Sequence, residues 1–482
     1  MLRRVILAID QGTTGTTCLV VDEELRIRAR AYREIRQYFP QPGWVEHDPE
    51  EIWGSVLETA QEALAAARIR PADLGGIGIT NQRETTIVWD RRTGRPVYPA
   101  IVWQDRRTAD RCRSIPADLV RRRTGLLLDP YFSATKLEWI LERCSQAQGE
   151  LAFGTVDSWL IWKLTAGASH VTDPTNASRT MLLDLETLTW DQELLELFGV
   201  EPELLPEIVP PSGVLGEGRL FGTEVPLAGI AGDQQASLFG HGCFTDGDAK
   251  ATYGTGAFVL VNAGTAFDSP PDGLLRTAAA VAPGASAQYA CEGAVLAAGA
   301  AIQWLRDGLQ IIADASESER LAKQVESTEG VVFVPALSGL GSPHWDPEAR
   351  GLVYGITRGT TRAHLVRAAL EGIALQVADV LDCYPGALAG LRADGGAARN
   401  AFLMQFQADL LGVPVEVAAD TDMTALGAAS LAGLALGLWP DVTALKARAR
   451  RGARYEPAMS RDEVESRKFA WHTALRRTRE RG

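Results

Sequence analysis

Three short segments combine glycine with hydroxyls or a carboxylate: Asp10-Gln11-Gly12-Thr13-Thr14-Gly15, Tyr253-Gly254-Thr255-Gly256 and Asp394-Gly395-Gly396-Ala397. Each stands where an apolar, strand-like run ends. Glycine lets backbone N–H groups come close to an oxyanion, threonine hydroxyls add donors, and a carboxylate such as Asp10 can hold Mg²⁺ through water. Any one of these segments alone reads as a hairpin turn. Three at comparable strand ends read as a polyphosphate clamp. No G-x-x-x-x-G-K-[ST] and no G-x-G-x-x-G beside a strand competes for that role.

Two further places carry chemistry. Arg83-Glu84 follows the strand-like Ile77-Gly78-Ile79 through Thr80-Asn81-Gln82 and precedes apolar Ile87, Val88 and Trp89. Arginine only donates hydrogen bonds and glutamate only accepts them, so the pair divides the two roles of a hydroxyl and suits a small polyol. Asp233 ends the run Leu227 to Gly232 and begins a helical pattern. It reads either as a helix-capping aspartate or as a base for a hydroxyl nucleophile.

The elements that must position these groups follow from hydrophobic period. Residues 5–9 and 18–21 are apolar runs on either side of the first turn, hence a hairpin, and Arg26 to Arg30 alternates as a third strand at an edge. Asp48 before Pro49 caps a helix whose apolar face is Ile52, Val56, Leu57, Ala60 and Leu64. Strands are expected at 77–79 and 86–89, a helix from Ser133 with Leu137, Ile140, Leu141 and Cys144 on one stripe, and a strand at 153–156. After about residue 242 the order returns, with strands at 249–253 and 258–261 around the second turn. A Gly/Ala-rich helix at 293–309, a strand at 331–334, a helix at 362–381 and a strand ending at Asp394 complete the repeat. Met423 to Pro440 is uncharged but rich in glycine, which fits a close-packed buried helix, and the charged helix after Tyr455 presents a solvated face.

At 482 residues the chain suits two to three domains by the rule of about 150 residues each. With 46% apolar and 23% charged residues it is a folded protein, and a formal charge of −13 leaves no basic surface for nucleic acid. The six cysteines contain no C-x-x-C, the pattern of reduced thiols in a cytosolic enzyme. The apolar run after Met1-Leu2-Arg3-Arg4 stops at Asp10, too short for a secretory signal, and no stretch reads as a membrane span. A cytoplasmic location is expected.

The ordered set of segments DQGTTG (10–15), PGWVEHDP (42–49), GITNQRETTIVW (78–89), IVWQDRRT (101–108), DPYFSATK (129–136), TDPTNASRTML (172–182), GIAGDQQASLFG (229–240), TYGTGAF (252–258), AGAAIQWLRD (298–307), DGGAARNAFLMQ (394–405) and TALGAASLAGLA (424–435) resembles the FGGY family of carbohydrate kinases, within the actin, hexokinase and heat-shock ATPase superfamily. The likeness runs nearly end to end and is strongest to the members that phosphorylate glycerol. It implies an α/β fold of two RNase-H-like (actin-like ATPase) domains, 1–242 and 243–482, with a nucleotide and substrate cleft between them.

Carried over by position, the resemblance implies that Arg83, Glu84, Tyr131, Asp233 and Gln234 hydrogen-bond glycerol, with Asp233 as the catalytic base. Trp103 and Phe258 would flank the carbon chain, although aromatic residues at such positions are ordinarily core packing. Thr13, Thr14, Gly15, Thr17 and Thr255 would face the phosphates of ATP, and Gly299, Gln303, Gly396 and Asn400 the adenosine side. Asp10 would organise Mg²⁺. Many relatives carry an arginine where this chain has Thr17, so a cation near the terminal phosphates is missing. In the loop 216–224, Glu224 stands in place of an arginine that binds fructose 1,6-bisphosphate in enteric members, and Arg219 in place of a phosphorylated histidine found in some Gram-positive ones. Neither control is expected. A kinase for another polyol or sugar and a non-catalytic actin-like nucleotide sensor are the competing expectations, and a homo-oligomer stays open.

Overall fold

The computed structural model describes residues 5–144 and 148–480; the Met1-Leu2-Arg3-Arg4 start lies outside them. Two mixed sheets organise the chain. In the first, the strand Val5–Gln11 pairs antiparallel with Gly15–Asp22, which pairs with the edge strand Ile27–Glu34. On its other side Val5–Gln11 pairs parallel with Gly76–Asn81, which pairs parallel with Thr223–Gly232, and Ser212–Leu220 closes the edge.

Val5–Gln11 is apolar without alternation because both its faces are covered. Leu7 and Ile9 pack on Ile52, Val56 and Ala60 of the helix Pro49–Ala67, while Ile6 and Ala8 pack on Ala425, Leu426 and Ala429 of the helix Met423–Ala435. The edge strand Ile27–Glu34 alternates half-buried and exposed residues, as its sequence predicts. Asp48 caps the helix Pro49–Ala67 by accepting from Glu50 N at 2.8 Å, and Leu57 on its predicted face is only half-buried.

The second sheet repeats the first. Asp248–Tyr253 pairs antiparallel with Ala257–Asn262, which pairs with Tyr289–Val295, and on its other side Asp248–Tyr253 pairs parallel with Gly390–Asp394 and that strand with Val415–Ala418. Leu275–Ala278 and Arg451–Tyr455 are the edges. The duplicated strand order is that of paired RNase-H-like, actin-like lobes.

Three elements differ from the sequence reading. The strand near residue 153 is Leu151–Gly154, and Val156 already opens the helix Val156–Leu164, because Thr155 breaks the run. The Gly/Ala-rich segment is not one helix from residue 293: Gly293 to Val295 finish the strand Tyr289–Val295, and the helix begins at Gly299. Small residues with an apolar majority suit either state, and sheet pairing with Ala257–Val259 decides it. The helix Ser133–Leu141 ends before Cys144. The uncharged helix Met423–Ala435 is buried as expected, on the sheet of the first half of the chain.

Candidate active site

The predicted chemistry converges because parallel strands end together. Gln11 lies beside Asn81, and Asn81 beside Gly232, so the first turn, Gln82-Arg83-Glu84 and Asp233 leave three neighbouring strand ends. Arg83 is buried at the centre. Its Nε pairs with the Asp233 carboxylate, 3.0 Å from Oδ1, its Nη1 and Nη2 grip the Glu292 carboxylate at 2.5 and 3.0 Å, and Nη1 also reaches Gln235 Oε1 at 3.2 Å. Glu84, held at φ +63°, accepts from Arg179 Nε at 2.6 Å, and Arg179 Nη2 donates to Glu292 at 3.1 Å. Burial drives Glu84 above the usual carboxylate range even beside Arg179 and Arg83. Burial works on Glu292 in the same direction, but the two guanidiniums outweigh it and hold that carboxyl at about 2.

Asp233 is the first residue of the helix Asp233–Gly240, bonded to Gln234 N at 2.7 Å and 30% exposed at its side chain. Among these carboxylates it is the one open to a ligand. Trp103 joins the polyol set to the first turn: its Nε1 donates to Thr13 Oγ1 at 2.8 Å, and its ring meets Tyr131 edge-on at 5.3 Å. Lys136 Nζ fixes the backbone around Tyr131 through the carbonyls of Tyr131 and Phe132 at 2.6 and 3.0 Å. Burial, reinforced by Glu84, pushes the Tyr131 phenol up, so it is a neutral donor.

In the first turn Thr13 is half-buried and Thr14 exposed. Gly15 is obligatory, since a side chain there would collide with the Arg33 carbonyl and the Tyr32 ring. Thr17 is buried in register between Asp10 and Tyr32. Burial, with Asp233 and Asp422 adding to it and Arg30 easing it, raises Asp10 to about 7. Arg30 offsets only part of that rise, and a hydrated Mg²⁺ carried by phosphate oxygens fits beside the carboxylate. Among the described residues no three His, Cys, Asp or Glu side chains converge as a metal cage.

The second lobe presents backbone. Ala298 N and Ala300 N both donate to Thr255 O at 2.9 Å, and Gly299 N to Gly254 O at 2.9 Å, so the turn 254–256 is laced to the helix Gly299–Gln303. Gly395, at φ +88°, packs where a side chain would stand 2.5 Å from Tyr253 O. Thr255, Gln303 and Gly396 are exposed around this knot. Asn400 sits beyond it with both ends of its amide engaged: Oδ1 caps the helix Ala401–Leu411 through Leu403 N at 3.0 Å, and Nδ2 donates to Ser318 at 3.1 Å. Phe258 is half-buried opposite Thr252.

Residues 5–240 match the FGGY family of carbohydrate kinases, N-terminal domain, and residues 249–436 its C-terminal domain. The chain belongs to the FGGY family of carbohydrate kinases. It is 51% identical over 488 residues to glycerol kinase 2 of Thermotoga maritima, covering 98% of each chain. It is 50% identical over 491 residues to the glycerol kinase of Thermus thermophilus, covering 98% of this chain and 99% of that one. The crystal structure of Plasmodium falciparum glycerol kinase with ADP superimposes with a TM-score of 0.94 at 36% identity, covering 99% of both chains.

Sequence reasoning missed three charged members of this FGGY site: Arg179, Glu292 and Lys250. A signal was present. Glu292 in YACEGAV and Lys250 in DAKATY are isolated charges inside strands whose neighbours are buried, a pattern that requires a partner. Arg179 lies within the TDPTNASRTML segment.

Proposed function

We propose that the chain transfers the γ-phosphoryl group of ATP to a terminal hydroxyl of glycerol, giving sn-glycerol 3-phosphate and ADP. The observation that carries the site assignment is the partly open Asp233 carboxylate, held by Arg83 Nε at 3.0 Å beside Glu84 and electrostatically coupled to Asp10. Arg83 and Glu84 divide donor and acceptor duties toward the polyol hydroxyls, Tyr131 donates, and Trp103 and Phe258 offer faces to its carbon chain. Asp233 accepts the proton as the hydroxyl oxygen forms its bond to the γ-phosphorus and the bond to the β–γ bridging oxygen breaks. Mg²⁺ near Asp10 supplies charge neutralisation at the phosphates. Thr13, Thr14 and Thr255 line the phosphate path, and Gly299, Gln303, Gly396 and Asn400 the nucleoside side.

A loose transition state leaves little covalent work for the protein, so positioning dominates, and a base of this kind is worth about 10²–10⁴ in rate. Water competes with glycerol for the same phosphoryl group, which makes closure of the lobes a specificity device. Cys18, Cys112, Cys243, Cys291 and Cys383 are free thiols, which suits work in the cytoplasm; no helix among the described residues is long and apolar enough to cross a membrane. A coupled assay of ADP release over a panel of polyols and sugars tests the substrate. Glycerol should give the highest kcat/KM; a pentulose or hexitol above glycerol, or ADP release indifferent to glycerol, would overturn the reading.

A further inference from the structure

Lys250 belongs to the strand Asp248–Tyr253 of the second lobe and is fully buried, yet none of the roles above uses it. Its Nζ donates to Gln234 Oε1 across the junction between lobes and to Thr252 Oγ1 at 3.1 Å. An ammonium has three donors and no acceptor. Facing it, Gln234 can therefore present only the oxygen end of its amide, which turns Nε2 away from the ammonium, while the Gln234 backbone N donates to Asp233 Oδ1 at 2.7 Å. Lys250 adds a third cation, beside Arg83 and Arg179, to a cluster whose carboxylates are Glu84, Asp233, Glu292 and Asp394; without it the excess negative charge next to the proposed base grows by one.

We propose that Lys250 is a positioning residue for phosphoryl transfer: by holding Gln234 Oε1 it fixes that amide as a donor toward the polyol oxygen whose proton Asp233 accepts. The inference rests on reading Gln234 as a polyol contact. A glutamine free to flip would present an acceptor half the time to a hydroxyl that already meets a carboxylate, and two acceptors cannot both be satisfied by one O–H. The groups facing the ammonium are Asp394 from the strand Gly390–Asp394, Asp233 from its helix, Arg83 from the end of Gly76–Asn81 and Glu292 from Tyr289–Val295; Asp394 in turn takes His241 at 3.2 Å. Burial lowers the Lys250 ammonium to about 8, against the opposing pull of Asp394 and Asp233, so the device is charged at neutral pH and fades above it.

Initial-rate kinetics of Gln234→Ala and Lys250→Met, each with glycerol and ATP varied separately, test this. Gln234→Ala should raise the glycerol KM about tenfold or more; an unchanged KM would overturn the polyol reading of Gln234 and leave Lys250 without a purpose. Given that rise, Lys250→Met should raise the glycerol KM by a similar factor, with the ATP KM within about threefold of wild type. A Lys250→Met glycerol KM equal to wild type, or a rise shared equally by ATP, overturns the proposal. Should Lys250→Met not fold, the wild type decides. Its glycerol KM should climb from about pH 7 to about pH 9.5 as the ammonium loses its proton, and Gln234→Ala should flatten the climb. A wild-type KM level across that range overturns the proposal as well.

Discussion

The strand ends of the first lobe carry charged side chains, and the equivalent ends of the second carry glycine-rich backbone with uncharged Thr255, Gln303 and Asn400 around it. Arg83 and Glu84 follow one strand end of the first sheet and Asp233 the next, and Arg179, just past the helix Pro174–Ala177, ties them into one charged lattice, while the equivalent ends of the second sheet carry Gly254-Thr255-Gly256 and Gly395-Gly396, the former laced to residues 298–300 by peptide groups. The difference matches what the proposed reaction would ask of each rim. Hydroxyls on a small carbon chain are told apart by the placement of individual donors and acceptors. Phosphates are alike and highly charged, so close backbone N–H groups suffice. Two charged side chains of the second lobe, Glu292 and Lys250, break the division by reaching into the first lobe's lattice.

The largest effect should come from the centre of the side-chain rim. Asp233→Asn should lower kcat by about 10²–10⁴ while glycerol binding, measured by calorimetry, stays within about tenfold, because the amide keeps the hydrogen-bonding shape and loses only the basicity. A kcat near wild type would remove Asp233 from the chemistry.

Glu292→Gln tests whether the second lobe's intrusion serves the first lobe's rim. It removes the carboxylate that grips both Arg83 and Arg179, leaving Glu84 and Asp233 as their counter-charges, and breaking such a buried pair costs up to about 3–5 kcal/mol. Part of that should appear as a lower melting temperature and part as a fall in kcat/KM for glycerol of roughly 10²-fold, with the ATP KM nearly constant. Equal losses toward both substrates would mean that Glu292 holds the fold and nothing more specific.

Thr17 is where the phosphate side of the first rim is poorest in charge. Thr17→Arg places a cation on the face that carries Asp10, and one charge-assisted bond to phosphate is worth about 1.5–3 kcal/mol, roughly a 10- to 150-fold gain in kcat/KM for ATP at best. Arg30, bonded to Asp422 at 3.0 Å and close enough to ease the Asp10 carboxyl, already stands nearby. An unchanged or lower kcat/KM in Thr17→Arg, combined with a loss in Arg30→Ala, would assign the neutralising charge to Arg30.

Legibility in the sequence followed the same division. The turns at 10–15 and 253–256 and the strands around them could be read because glycine and threonine at a strand end constrain the backbone locally. Asp233 could be placed at a helix start for the same reason. Arg179, Glu292 and Lys250 could not be given roles: each acts on a residue 95 or more positions away, or, for Lys250 and Gln234, across the lobe junction, and no local period records such partners. The segment 293–309 was misread because Gly and Ala carry too little shape to separate a strand from a helix without the sheet beside it. Asn400 shows the opposite case: its side chain is engaged as a helix cap, so any contact it makes with a nucleoside must share an amide already bonded at both ends.

The smallest effect should come from the backbone rim, where two neighbouring glycines separate strain from ligand contact. Gly395 has φ +88°, and a methyl group there would stand 2.5 Å from Tyr253 O, so Gly395→Ala must strain its own backbone and displace the end of the strand that carries the second turn. With ψ 173° this is an extended, positive-φ conformation that is essentially glycine's own, and a non-glycine residue there costs about 1–3 kcal/mol before any collision is counted. Gly396 has no heavy atom within 4 Å of such a methyl group and faces open space. Gly395→Ala is therefore expected to lower the melting temperature and to raise the ATP KM by about three- to tenfold, leaving the glycerol KM unchanged at saturating ATP. Gly396→Ala should leave the melting temperature at the wild-type value and raise only the ATP KM, since the added methyl group meets nothing but the incoming nucleotide. If Gly396→Ala binds ATP as the wild type does, the nucleoside does not lie against that turn. If Gly395→Ala instead raises the glycerol KM, the two rims are mechanically joined, and the division between a side-chain wall and a backbone wall gives way to a single coupled site.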